Sequence, residues 1–180
     1  MVTPQASADS KPKLKHLNWI QMDDGFRITA ELTDSFNREI EDRIHSGIPT
    51  TFTFYLYFKR MRWYWDNKVL AKIVYQHSVT YDTLRKKYKV IIQKKGQSEP
   101  ISITTTDSAE EMRRLMNAFE GELQISIDRK SLRSKQHYIS LEASLETNKL
   151  PEPFDTLLFF MSSDFETKTH RQFLPIGDSD

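Results

Sequence analysis

Residues 47–66 read GIPTTFTFYLYFKRMRWYWD, and the first half of this stretch is a strand. Phe52, Phe54, Leu56 and Phe58 share one parity, while Thr51, Thr53, Tyr55, Tyr57 and Lys59 share the other. Side chains alternate across a strand, so the first set lines an apolar face and the second a half-wet face of hydroxyls and rings. A helix would scatter the same residues around its circumference. From Lys59 onward the character changes. Arg60, Met61, Arg62, Trp63, Tyr64 and Trp65 combine cations with aromatic rings, and Asp66-Asn67 marks a turn.

Working upstream, Leu17, Trp19 and Gln21 alternate, and Phe26, Ile28 and Ala30 resume the alternation through Leu32. Asp23-Asp24-Gly25 between these runs is a hairpin signal. Thr33-Asp34-Ser35 suits a helix start, and Phe36, Ile40 and Ile44 give a narrow apolar stripe at i, i+4, i+8. Gly47 and Pro49 then end the helix and feed the central strand.

Downstream, Val69, Ala71, Ile73, Tyr75, His77, Val79 and Tyr81 fall on one parity of a long strand. Leu84-Arg85-Lys86-Lys87 is a polar break. Tyr88, Val90 and Ile92 form the next strand, Lys94-Lys95-Gly96 closes it, and Ile101 and Ile103 continue the sheet. Asp107-Ser108-Ala109-Glu110 opens a second helix, with Met112, Leu115, Met116 and Phe119 as its buried stripe and Gly121 as its stop. Strands resume at Leu123, Ile125 and Ile127, and again at Ile139, Leu141, Ala143 and Leu145. Leu150-Pro151-Glu152-Pro153 breaks the ladder, because proline has no N–H to donate. Phe154 to Met161 and Phe165 to Phe173 supply the last apolar segments.

About eight or nine strands with short connections and two short amphipathic helices predict a mainly antiparallel, sandwich-like α+β fold rather than a doubly wound parallel sheet. The expected division is a polar tail over 1–15, one β-rich domain over 16–175, and a tail over 176–180.

Apolar residues at 38% and charged residues at 28% are ordinary for a folded domain and argue against disorder. A net charge of +1 supplies no global field that would steer the protein to nucleic acid. The absence of cysteine removes disulfides, thiolate metal sites and cysteine nucleophiles. No apolar run approaches the ~20 residues of a membrane-spanning helix. Ala6-Ser7-Ala8 before Asp9-Ser10-Lys11 has the small-x-small form of an export cleavage site, although the charged and apolar regions that precede such a site are missing; the plain alternative is a polar tail.

The series Thr33-Asp34-Ser35-Phe36, Ser46-Gly47-Ile48-Pro49, Phe52-Thr53-Phe54, Arg62-Trp63-Tyr64-Trp65, Tyr81-Asp82-Thr83-Leu84, Lys87-Tyr88-Lys89-Val90 and Leu150-Pro151-Glu152-Pro153-Phe154 resembles a bacterial family known as domain of unknown function 4390. The resemblance spans about residues 15–175. It implies an uncharacterised small envelope protein of Gram-negative bacteria that enters the export pathway, and some members are encoded beside a sensor kinase of the nitrogen-regulation type. It carries no active-site residues, and it favours the export reading of Ala6-Ser7-Ala8.

Catalytic and ligand signatures are sparse. His16, His45, His77, His137 and His170 are all far apart in sequence, whereas local metal sites pair their ligands closely. Asp23-Asp24 and Asp164-Phe165-Glu166 lack the calcium-loop pattern. There is no Gly-x-Ser-x-Gly elbow, and five glycines form no phosphate loop. His77 and Ser78 are strand neighbours and face opposite ways; His77 reads as a satisfied, half-buried histidine. No catalytic residue, metal or cofactor is therefore expected. Arg60, Arg62, Trp63, Tyr64 and Trp65 are the candidate interaction surface, since Arg and Trp are enriched at interface centres. The plain alternative puts Trp63 and Trp65 in the core at the strand end. Arg85-Lys86-Lys87, Lys94-Lys95 and Arg129-Lys130 read as solvated turn charge, with contact to anionic lipid as the sharper alternative.

The expected function is an exported, non-enzymatic interaction module of the cell envelope with an envelope protein as partner, peripheral contact with the membrane and no nucleic acid. The alternative is a periplasmic protein that binds a lipid or apolar ligand in the sandwich interior.

Overall fold

The computed structural model describes residues 11–62, 67–124, 137–147, 166–168 and 172–173. Its strands are β1 (Lys13–Met22), β2 (Gly25–Thr33), β3 (Thr50–Arg60), β4 (Lys68–Asp82), β5 (Lys87–Lys94), β6 (Ser102–Thr106), β7 (Ala118–Gln124), β8 (His137–Thr147), β9 (Glu166–Lys168) and β10 (Gln172–Phe173). Two helices, α1 (Arg38–His45) and α2 (Ala109–Asn117), complete the α+β fold.

All described strand pairs are antiparallel. The smaller sheet has the order β1-β2-β7, and the larger has the order β10-β8-β3-β4-β5-β6, with β9 also on β8. Because β3 occupies one edge of β8, β9 and β10 share the other, where the register advances by one residue between them. The quoted stretch thus supplies the middle of the larger sheet. Phe52, Phe54, Leu56 and Phe58 are fully buried against Ile28, Leu32, Phe119 and Leu123 of the smaller sheet and the helix residues Ile40, Ile44, Met112 and Met116. Phe54 lies at the centre, with ring centroids 4.7 Å from His77 and 5.1 Å from Phe119.

Several elements depart from their sequence reading. The helix after β2 starts at Asn37, not at Thr33-Asp34-Ser35. Asp34 takes a φ of +56°, which breaks the helical path, and the Asn37 side chain instead accepts from the Ile40 amide at 2.9 Å. Phe36 therefore lies outside α1 and packs on Phe52. The second helix ends at Asn117, so Phe119 is not part of its stripe and Gly121 is not its stop. Phe119, Gly121 and Leu123 are alternate residues of β7 that face the core. The start of α2 matches its sequence: Ser108 accepts from the Glu111 amide, while the Glu111 carboxylate takes the Thr106 hydroxyl at 2.6 Å.

Two irregularities re-aim side chains. In β1 the register shifts between Lys15 and Asn18, where His16 has a φ of +54°, so Leu14 and Leu17 both face inward despite their opposite parity. In β4 a bulge beside Phe58 and Lys59 turns Val69 away from the inward row of Ala71 and Ile73, leaving it 48% exposed. Ile101 and Ile103 also face away from the core, because Ile103 pairs with Ile91 on the outer face. His77 is fully buried rather than half-buried. The expected strand residues Ile125 and Ile127, and the segment Phe154–Met161, lie outside the described residues.

One side chain ties the two sheets together. Glu122 sits on the free edge of β7, and its amide donates to the Tyr75 hydroxyl at 2.8 Å while that hydroxyl donates to the Glu122 carbonyl at 3.2 Å. Burial raises the Tyr75 pKa, so the phenol stays a donor. Tyr75→Phe keeps the ring and strands both main-chain groups. It should lower stability by about 1–3 kcal/mol, read from urea unfolding. An unchanged midpoint would show that water caps this edge equally well.

Candidate interaction surface

The cationic rim sits where β3 ends and β4 begins. Arg60 is the last residue of β3 and lies between Lys68 of β4 and His137 of β8. Arg60 and Arg62 are both exposed, as the sequence reading requires of a contact surface. Trp63, Tyr64 and Trp65, the other three residues of that reading, lie outside the described residues.

A second group of rings and cations lies on the outer face of the same hairpin. Tyr55 and Tyr57 are two apart on β3, so their rings lie on one face, stacked at 6.4 Å between centroids and 23° between planes. Lys59 follows at the same spacing, with its ammonium 4.2 Å from the Tyr57 ring centre. Lys72, opposite Tyr57 in the register, places its ammonium 4.7 Å from the Tyr55 ring and 5.4 Å from that of Tyr57. Negative ring faces attract these cations and hold flexible side chains in place. Glu142 of β8 meets Lys59 at 3.5 Å, with both side chains only 18% exposed. The result is a bench of two rings and two lysines beside Glu142, and Arg60, one residue past Lys59, takes the opposite parity, so it shares the end of this hairpin but not this face.

Such a bench suits binding, because it offers cations and flat apolar area. Among the described residues, no three histidine, aspartate or glutamate side chains are grouped to hold a metal ion. No helix among them is long and apolar enough to cross a membrane. The contribution of Lys72 was missed in the sequence, because β4 brings it across the hairpin. Tyr55, Tyr57 and Lys59 were legible as a face but not as a site.

The fold and this bench define a two-sheet, mainly antiparallel α+β domain with cations and aromatic rings on the outer face of its larger sheet. The family model described as domain of unknown function (DUF4390) matches residues 9–172. The chain belongs to this family. No similar protein was found among curated sequences, and none among solved structures.

Proposed function

We propose that this domain is a non-enzymatic interaction module of the bacterial cell envelope, exported to the periplasmic side, that receives an acidic surface of an envelope protein on the β3–β4 end. The observation that carries the reading is the Tyr55–Tyr57–Lys59–Lys72 bench, with Arg60 and Arg62 exposed at the end of the same hairpin. Preset lysines and stacked rings lose little freedom on binding, and a cationic edge speeds encounter with an acidic partner. The family's association with export and with sensor kinases suggests where to look for that partner.

The test is cross-linking in living cells from a photoreactive residue at Met61, which is itself exposed. Arg60→Glu with Arg62→Glu should reduce the cross-linked species about tenfold or more, because reversing rim charges slows association and repels an acidic partner. Arg62→Glu alone, which leaves Arg60 in place, should unfold at the parent's temperature and still lower the cross-linked yield. Equal cross-linking in parent and variants would sink the assignment of this surface. A lipid that co-purifies in stoichiometric amount would instead support the reading of an apolar-ligand carrier.

A further inference from the structure

A second cationic feature lies at the other end of β4. The turn from β4 to β5 places Leu84 at its tip, 93% exposed. Arg85, Lys86, Lys87 and Lys89 follow it within five positions, and all four are exposed. We propose that this turn docks the domain onto an anionic lipid surface, with Leu84 entering the bilayer interface and the cations lying among the headgroups.

The turn is built rigidly. The Asp82 carboxylate accepts from the Leu84 amide at 3.0 Å and the Arg85 amide at 2.9 Å, and Lys86 holds a φ of +54°. These contacts aim Leu84 outward before any binding occurs, so little conformational freedom is lost on docking. The base is braced by the end of α1 and the residues after it: the His45 ring meets Tyr81 edge-on at 5.4 Å, and Gly47 lies beside Tyr81 and Thr83. Asp82 is occupied by the turn and by Arg85 at 3.9 Å. Asp107 follows Thr106, the partner of Tyr88, and offsets part of the charge. The turn nevertheless keeps a cationic excess around one apolar tip.

A single exposed leucine is common on protein surfaces, and alone it signifies nothing. Here the surrounding chemistry selects the partner. Protein hot spots favour Trp, Tyr and Arg and under-use Leu, and lysine is depleted at protein interfaces. This tip is ringed by lysine and arginine, whose long apolar stems let the charge stay wet while the leucine descends. Juxtamembrane cations are drawn to anionic headgroups, and the attraction weakens with salt. The 15 residues of β4 hold this turn roughly 45 Å from the β3–β4 end. Membrane docking at one end therefore leaves the other end accessible.

The test is sedimentation of the full chain with vesicles of phosphatidylethanolamine and phosphatidylglycerol, beside vesicles of phosphatidylcholine alone. The wild-type protein should sediment with the anionic vesicles and be released at about 1 M salt, where the screening length is about 3 Å. Leu84→Ser, and separately Arg85→Glu with Lys86→Glu, should each weaken binding about tenfold or more. Both variants change exposed residues, so their melting temperatures should stay at the wild-type value. The proposal is overturned by equal sedimentation with neutral vesicles, by Leu84→Ser binding as well as wild type, or by no sedimentation at all. A cross-link from position 84 to a protein, with no vesicle binding, would reassign the turn to a protein contact. The assay contains no protein partner, so its result is independent of the reading given to the β3–β4 end.

Discussion

Gly121→Val should destabilise the domain by roughly 2–4 kcal/mol, although valine is the better strand former. A Cβ at this position would lie 2.6 Å from the tip of the Phe119 ring and 2.9 Å from the edge of the Tyr75 ring. Neither ring can yield cheaply. Phe119 is buried against Phe54, and the Tyr75 ring is anchored by two hydrogen bonds to Glu122. Overpacking a filled core costs about 1–3 kcal/mol. Loss of the Tyr75 contacts would add about 1 kcal/mol for each bond broken. Removing glycine from a strand returns only about 0.5–1 kcal/mol. The unfavourable terms win, and chemical denaturation with matched slopes measures the difference. A valine variant as stable as the parent would mean that the two sheets can separate slightly at no cost.

The same glycine shows where the sequence stops being legible. Within ten residues of a helical stripe, a glycine reads as a helix stop, and only the approach of Tyr75 from another sheet reveals that it makes room for a ring. Local alternation carried β3 and most of β4, because period two survives any tertiary context that keeps a strand half-buried. The bulges at His16 and beside Lys59 did not show, since an inserted residue leaves no composition signal and acts by shifting register against a partner strand. Thr33-Asp34-Ser35 read as the helix start and Asn37 did not stand out as a cap; the backbone turn at Asp34 moves the start to Asn37. Arg60 and Arg62 stood out in the sequence because cations and aromatic rings occur together there, and both are exposed in the fold. Lys72 joins the bench through cross-strand pairing, and Leu84 sat in a stretch whose charge hid its one apolar residue.

Stability should fall steeply as acid is added, and one buried residue should account for about 3 kcal/mol of the loss between pH 7 and pH 4. His77 is 1% exposed between Phe54 and the end of α2, and its Nδ1 lies 3.2 Å from the Met116 carbonyl. A carbonyl oxygen only accepts, so Nδ1 carries the proton of the neutral ring and Nε2 is a bare acceptor without a partner. The C-terminal end of a helix favours a cation by up to about 2 kcal/mol. Desolvation outweighs that attraction and lowers the pKa from 6.5 to about 4. Between those values the unfolded chain binds a proton that the folded chain refuses. The contribution is therefore whole above pH 6.5, declines as the pH falls, and is lost by the time the pH has passed below about 4. His77→Gln keeps an N–H donor for Met116 and has no titration in this range. The variant should start less stable at pH 7, since its side chain fits the ring's space poorly, yet lose about 3 kcal/mol less than wild type on the way to pH 4. Carboxylates that titrate nearby are common to both proteins and cancel in the comparison. Parallel pH profiles for the two proteins would mean that the core opens enough to hydrate the imidazolium, and that the contact between α2 and β4 is looser than its distances imply.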